Sequence, residues 1–420
     1  MKLRKSTRQD VERIIGIWCE AVDATHEFLQ ADDRAAIERE VRDVFPSLDF
    51  IVAVNDVDCP IGFMLLEDGV IEALFIEPAR HRQGIGRALV NAALARHGRV
   101  STTVNEQNRR AFGFYERLGF RSAGRMERDG QGRPYPLIRM RLDATETTLR
   151  VRLTDIELEV DVSGDGTPLL LLHGALGDRR TLAPVASALS AAHRMIVPTL
   201  RHFGPPPRAT GRKAFGTASQ AEDLIDLLEA LGFERAHVVA WSYSAHSALA
   251  AAFRRPDRFA SLFLYEPGFP TFVTEPGHLD AVSADGAEAF GPVAEAARRS
   301  DWTEAARRLI DGAARREGWF DGQPAAIRRI HLDNADTIGL LFGQTPPVPL
   351  SASELGTMRI PVTVAWGDQT RIMYALVSQA AAAGLANSTC LCVPGAGHLM
   401  PEEDPAGFAA LVARHMASPA

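Results

Sequence analysis

The apolar positions of the chain first recur at helical spacing: after Ser6, which predicts an N-cap, come Val11, Ile14, Ile15 and Trp18. Alternating and apolar runs then predict strands over 50–55, 60–67 and 70–76. The first two are separated by Asp-Val-Asp-Cys-Pro, and the third stops before Pro78. A glycine-containing turn leads to a helix over about 85–96, then a strand at 100–104, a helix over about 108–118, and strands near 120–127 and 135–142. Together these make an α/β unit of about 145 residues.

Residues 143–150, DATETTLR, form a polar, low-complexity join, and a second α/β pattern begins past it. Its strands are expected at 149–153, 156–162, 168–172, 194–198, 236–241, 260–265, 361–366 and 389–393. Helices such as 218–231 and 243–254 fall between them, which predicts parallel crossovers. The alternation lapses over 270–345, where Ala- and Arg-rich amphipathic segments with Trp302, Trp319 and Phe320 predict a helical insertion. The expected domains are 1–145 and 146–420, the second carrying a cap at about 270–345.

Composition narrows the class. A chain of 420 residues exceeds one ordinary core, and 46% hydrophobic with 24% charged residues is globular. Residues 1–145 balance 22 basic against 22 acidic side chains, so the formal net of −7 arises wholly beyond them. With no basic excess to offset a polyphosphate, nucleic acid is not an expected partner. The four cysteines show no zinc spacing and suit a reducing compartment, and the histidines form no His-x-x-x-His pair, so no metal is expected. The N-terminus lacks a signal-peptide core and no apolar run nears the roughly 20 residues that span a bilayer, which predicts a soluble, cytoplasmic protein without membrane contact.

The segment EALFIEPARHRQGIGRALVNAAL reads as strand, turn and helix. Gly84 and Gly86 lack a Cβ and let the turn approach a ligand, while the helix start offers unpaired N–H groups to a pyrophosphate. Arg82 and Arg87 would add charge. The Gly-Lys-Ser/Thr ending of a triphosphate loop is missing, and the glycines do not match a dinucleotide fingerprint. A purely structural turn fits these residues equally well.

The next element, TTVNEQNRRAFGFYERLGF, places Asn105 at a strand end, Asn108 at a helix start and Tyr115 two helical turns on. With VDATHEFL and GRPYPLIRM, residues 1–142 closely resemble the small bacterial type of GNAT N-acetyltransferase. The resemblance implies acetyl-CoA as donor and direct transfer to an amine, on a small molecule or a protein. It implies that backbone groups of Leu74, Phe75 and Ile76 meet the pantetheine arm and that Gln83, Gly84, Ile85, Gly86, Arg87 and Ala88 wrap the pyrophosphate. Asn108 would touch the cofactor, and Tyr115 would protonate the departing thiolate. A phenol, with an ordinary pKa of about 10, is protonated at neutral pH and can meet a thiolate made beside it. His81 stands where the family turn usually opens with Gln or Arg. Glu72 is the leading base for the amine, with an ordinary surface ion pair as the alternative. His26 either lines the acceptor pocket or is a structural histidine.

Residues 149–416 resemble the α/β-hydrolases, through LLLLHGALGD at 169–178, RAHVVAWSYSAHSALAAAF at 235–253 and VPGAGHLMPEEDPAGF at 393–408. The resemblance places a nucleophile at Ser242 and a base at His398, with N–H groups of Ala175 and Tyr243 as an oxyanion hole. The usual glycines two residues to either side of the nucleophile are Ala240 and Ser244, the smallest substitutes. The usual acid position, after PVTVAWG, is Thr370. Glu266, after SLFLY, and Asp368 are the two candidate acids, with Glu266 preferred because a strand end can aim a short segment at the histidine.

The fold class expected overall is α/β, a GNAT fold followed by an α/β-hydrolase fold with a helical cap. The expected function is bifunctional: acetyl-CoA-dependent N-acetyl transfer plus hydrolysis of a small ester or acyl group. The alternative is a C-terminal half that only binds. Phe269, Phe272, Trp319, Leu340, Leu341 and Phe342 would wall an apolar acyl pocket or merely fasten the cap. Arg201 and His202 fall in a loop near the expected mouth, and a homodimer is compatible with all of these readings.

Overall fold

The computed structural model describes residues 1–97, 99–143, 147–208, 210–344 and 350–417. The middle of the polar join, 144–146, and the last residue of the expected cap, 345, lie outside the described residues. The chain separates into two compact units, Met1–Thr145 with Glu229–Phe233 and Glu146–Leu228 with Glu234–Ala420.

The first unit runs β1 (Lys2–Lys5), α1 (Val11–Thr25), α2 (Ala31–Val44), β2 (Ile51–Val54), β3 (Pro60–Glu67), β4 (Val70–Ile76), α3 (Ile85–His97), β5 (Arg99–Asn105), α4 (Arg109–Arg117), β6 (Arg121–Met126) and β7 (Leu137–Asp143). The helical spacing noted above buries Ile14, Ile15 and Trp18 of α1. Ser6 does not cap that helix. Its hydroxyl accepts from the Phe50 amide at 3.0 Å, and the helical entry is made instead by Thr7 and Asp10. Asp10 accepts from the Thr7 amide at 2.7 Å and pairs with Arg4, which holds its carboxyl down at about 2. Strand β1 has one apolar residue, Leu3, and so carries no alternation; its pairing with β2 makes it a strand.

The sheet order is β1-β2-β3-β4-β5-β7-β6, antiparallel except where β4 meets β5. These two parallel strands pair only at Val70↔Ser101 and Ile71↔Thr102 and then part. Past that fork, Phe75 meets Trp18 of α1, while Ile76 lies with Ile85 of α3 against Gly62, filling the room its missing Cβ leaves. A forked sheet of this kind exposes backbone N–H and C=O groups that have no neighbouring strand to bind.

The second unit contains β8 (Thr147–Arg152), β9 (Glu157–Ser163), β10 (Thr167–Leu172), α5 (Ala183–Leu189), β11 (His193–Pro198), α6 (Thr217–Ala230), β12 (Ala236–Trp241), α7 (Ser244–Arg254) and β13 (Phe259–Tyr265). It continues with α8 (Pro276–Arg298), α9 (Trp302–Ala314), α10 (Trp319–Gly322), α11 (Ala325–Asp333), α12 (Thr337–Gly343), α13 (Ala352–Leu355), β14 (Val362–Gly367), α14 (Ile372–Gly384), β15 (Ser388–Val393), α15 (Met400–Glu403) and α16 (Pro405–Ala417). The eight-stranded sheet is ordered β15-β14-β13-β12-β10-β11-β9-β8. Its β15 to β11 stretch is parallel, and β9 and β8 close the edge antiparallel. Because central parallel strands are covered on both faces, Leu169, Leu170, Leu171 and Leu172 are all fully buried. Helices α8–α12 form the insertion between β13 and β14, and its Val293, Ala306, Ile310, Trp319 and Phe320 join one hydrophobic cluster with Leu171, Trp241 and Tyr265. No helix among the described residues is long and apolar enough to cross a membrane.

Candidate active sites

In the first unit, the fork between β4 and β5 opens into a cavity of about 530 Å³. Leu74, Phe75 and Ile76 line it together with His26, Arg82 and Asn108. Asn108 is the N-cap of α4: its carboxamide oxygen accepts from the Ala111 amide at 3.0 Å. The turn before α3 holds Arg82 at φ 63° and Gly84 at φ 84°, both left-handed. A Cβ at Gly84 would meet nothing within 4 Å, so this face of the turn is free to approach a ligand. A Cβ at Gly86 would stand 2.9 Å from the Phe114 ring, so the missing Cβ here also admits a helix–helix contact. Gln83 and Arg87 are exposed on the same turn, Ile85 is buried, and Ala88 closes the first helical bond to the Gly84 carbonyl at 3.0 Å.

Tyr115 lies outside the lining of that cavity. It is buried in α4 against Phe114 and Phe120. Burial pushes the phenol up to about 12, so it is fully protonated at neutral pH. Glu72 is exposed and also outside the lining, so the structure does not bring it to the cavity wall. His26 does line the cavity, with its ring 6.4 Å from Phe75 and Nδ1 2.8 Å from the Thr25 hydroxyl. Burial lowers its pKa to about 4, which leaves it neutral at pH 7.

These positions give a specific test of the turn. Gly84→Glu is expected to weaken acetyl-CoA binding roughly 10²-fold by opposing phosphate charge, since like charges brought together cost several kcal/mol. The left-handed φ adds a stability cost of only about 1–2 kcal/mol. Titration calorimetry checks the first effect and thermal melting the second; unchanged affinity would exclude this turn as the phosphate site.

In the second unit, Ser242 sits between β12 and α7 at φ 57°, a conformation that costs a non-glycine residue about 1 kcal/mol or more and persists only where the surroundings fix it. They do so here: the Ser242 amide donates to Tyr265 O at 2.9 Å, and its carbonyl accepts from Ala245 and Gly268. Ala240 is fully buried in β12, and Ser244 turns its extra hydroxyl to the Leu172 and Trp241 carbonyls, each at 3.1 Å. The two substitutes for glycine are thereby absorbed. Gly174 packs against the Trp241 ring and Ser242, and its turn is ordered by His173, which accepts from the Leu200 amide and donates to Gly174 O.

A continuous relay crosses the site. Ser242 Oγ lies 3.0 Å from His398 Nε2, and His398 Nδ1 lies 2.6 Å from Glu266 Oε2. Glu266 is wholly buried at φ 48° directly after β13. Its Oε1 accepts from the Gly367 amide at 2.8 Å, and its Oε2 also accepts from Thr370 Oγ1 at 2.7 Å. Thr370, the residue in the usual acid position, therefore donates to the Glu266 carboxylate. Asp368 is not brought to the histidine: its carboxylate accepts from the Gly395 amide at 2.8 Å at the surface. The His398 loop is pinned by Trp241 Nε1 donating to His398 O and by the Tyr265 hydroxyl donating to Gly397 O.

A cavity of about 290 Å³ opens on Ser242 and His398, with Ala175 and Tyr243 in its wall. Phe269, Leu341 and Phe342 also line it, joined by Phe290, Leu309 and Ile310, which sequence reasoning did not single out. The other proposed walls face elsewhere. Phe272 stacks on His246, Trp319 is buried with its indole N–H on Glu403, and Leu340 is 40% exposed. Among the described residues, the lining includes no Asp, Glu, Lys or Arg. Arg201 offers no charge to the mouth, because it is fully buried between Asp155 and Asp223 at 2.7 Å from each. One further residue is legible only in three dimensions: Tyr374 of α14 lies flat on the His398 ring.

Comparison with known proteins matches two separate stretches of the chain. A family model described as alpha/beta hydrolase fold matches residues 167–405, and one described as acetyltransferase (GNAT) domain matches residues 46–122. Peptidyl-lysine N-acetyltransferase YjaB of Escherichia coli (strain K12) is 45% identical over 140 residues, which are 33% of this chain and 95% of that protein. Fluoroacetate dehalogenase of a Burkholderia species is 30% identical over 126 residues, 29% of this chain and 41% of that protein. A thermophilic esterase from Thermogutta terrifontis shares the fold of the second unit, with 24% identity, a TM-score of 0.52, and coverage of 64% of this chain and 98% of that one.

Proposed function

The chain belongs to the GNAT acetyltransferases through its N-terminal part and to the α/β-hydrolase fold family through its C-terminal part, and from that premise we propose a bifunctional enzyme with domains 1–145 and 146–420. The first domain acetylates a lysine amine from acetyl-CoA; the second hydrolyses an uncharged, apolar acyl ester. Peptidyl-lysine as acceptor follows the activity named for the YjaB relative.

For acetyl transfer, the forked β4–β5 edge offers backbone groups to the extended arm of the donor, and the turn at Gly84 receives its phosphates. The amine attacks the thioester carbon, the C–N bond forms, and the C–S bond breaks. Tyr115, protonated and buried in α4, gives its phenolic proton to the departing sulfur. Glu72, being exposed outside the cavity, would take the amine proton through water. Tyr115→Phe is expected to lower the rate of acetyl transfer to a lysine peptide about 10²-fold, with acetyl-CoA affinity within about twofold of the wild type. Single-turnover mass spectrometry reads the rate; a wild-type rate would remove Tyr115 from the reaction.

For hydrolysis, the observation that carries the reading is the unbroken Ser242–His398–Glu266 relay beneath an apolar cavity. His398 Nε2 takes the Ser242 proton as Oγ attacks the acyl carbon, and the amides of Tyr243 and Ala175 receive the developing oxyanion. The protonated histidine then gives that proton to the leaving alkoxide, and water repeats the sequence on the acyl-enzyme. A domain that only binds would leave this relay without a use. Without a cation in the described lining, a carboxylate on the acyl group would be buried unpaired, which selects neutral acyl chains.

A further inference from the structure

The aromatic ring of Tyr374 and the imidazole of His398 are stacked face to face, with centroids 3.6 Å apart and planes 5° from parallel. Two neutral aromatic faces placed in register repel through their quadrupoles and prefer an offset or an edge-on arrangement. The same contact becomes attractive once one ring carries a positive charge, because the negative face of the phenol then meets a cation. The geometry is thus poorly suited to a neutral imidazole and well suited to an imidazolium.

This contact is also fixed from outside the site. Tyr374 follows Thr370 and Arg371 at the start of α14, and Thr370 is bonded to Glu266. Arg371 is 5% exposed and reaches the cap helix α8: its Nε and Nη2 lie 3.0 and 2.7 Å from Asp285 Oδ1. The other oxygen of Asp285 accepts from the Met373 amide at 3.1 Å. The five residues 370–374 therefore connect the buried acid, the cap and the catalytic ring.

We propose that Tyr374 is a positioning residue for His398, held from the cap through Asp285 and Arg371, whose stacked face favours the imidazolium formed during acyl transfer. The proposal rests on the serine-hydrolase reading above and adds to it a residue that acts through the histidine. The groups facing the imidazole are Glu266 from the end of β13, Ser242 from the turn after β12, Tyr374 itself, and the Trp241 ring, tilted by 49° with its centroid 5.9 Å away; Tyr265 bonds to the Gly397 carbonyl of its loop. Further charges on the Tyr374 side are Arg371 and its partners Asp285 and Glu288.

The test follows the titration of the labelled His398 imidazole by NMR in the full-length protein, its resonance assigned by loss in His398→Gln. Tyr374→Phe keeps the face and is expected to keep the wild-type midpoint. Tyr374→Leu and Tyr374→Met fill the space without a π face and are expected to lower it by about half a unit to one unit. Asp285→Ala is expected to shift it in the same direction by a smaller amount. Midpoints for Leu and Met equal to or above the wild type overturn the proposal, as does a Phe variant that shifts as far as they do; an unmoved Asp285→Ala removes the part assigned to the cap. If one apolar variant fails to fold, the other and the Phe variant still decide the matter. Because the titration is read without turnover, its outcome is separate from that of the hydrolase reading, which fails instead if the folded wild type neither hydrolyses a p-nitrophenyl ester nor labels with a fluorophosphonate.

Discussion

Ser242→Ala is expected to abolish labelling by a fluorophosphonate probe and to lower turnover of a short p-nitrophenyl ester by about 10³- to 10⁶-fold. Its hydroxyl is the oxygen hydrogen-bonded to His398 that also opens on the apolar cavity, so no neighbouring nucleophile inherits its position. What survives is the polarisation of the carbonyl by the elbow amides, which sets the floor of the residual rate. The fold should tolerate the change. Ser242 holds its left-handed backbone through its own amide and carbonyl, bonded to Tyr265, Ala245 and Gly268, and none of these bonds involves the side chain. A probe that still labels the alanine variant, or a wild-type protein that does not label while acetyl transfer proceeds, would mean that the second domain does not work as a serine hydrolase.

Glu266→Gln is expected to lower kcat/KM for the same ester by about 10³- to 10⁴-fold. The carboxylate accepts three bonds, from His398 Nδ1, Thr370 Oγ1 and the Gly367 amide. A carboxamide offers one oxygen in place of two, so at least one buried donor must lose its acceptor or point at an N–H. If that donor is His398, the ring adopts the tautomer with its proton on Nε2 and can no longer take one from Ser242. A stability loss of about 1–3 kcal/mol should accompany the loss of rate, from the unpaired donor. Asp368→Asn is the contrasting variant, expected within about twofold of wild type, because that carboxylate holds the Gly395 amide instead. Stopped-flow ester kinetics on the pair separates the two carboxylates, and equal losses would return the acid to the loop after β14.

Much of the architecture is legible in single-residue patterns because it depends on near neighbours. Strand β4 ends at Ile76, two residues before Pro78, and α3 begins at Ile85, directly after Gly84. The parallel strands of the second unit read as apolar runs since both of their faces are covered. The misses occur where a side chain is claimed by a distant partner. Ser6 has the composition of a helix cap, but the Phe50 amide takes its hydroxyl. Arg201 falls in a loop near the expected mouth, but two aspartates 46 and 22 positions away bury it. Of the two roles open to Trp319, pocket wall or cap fastening, the bond to Glu403 matches the second.

By itself the sequence determined the two α/β periods, the glycine turn before α3, the serine elbow and the late histidine, because turn sterics and periodicity act over a few residues and leave their mark there. Only the tertiary structure decided which carboxylate serves the histidine and which ring covers it. Glu266 is 132 positions from His398, and the two meet only because β13 ends beside the loop that carries the histidine. Hydrogen bonds and ring stacking of this kind are set by which strand ends are adjacent in the sheet, a relation that the linear order of the residues does not contain.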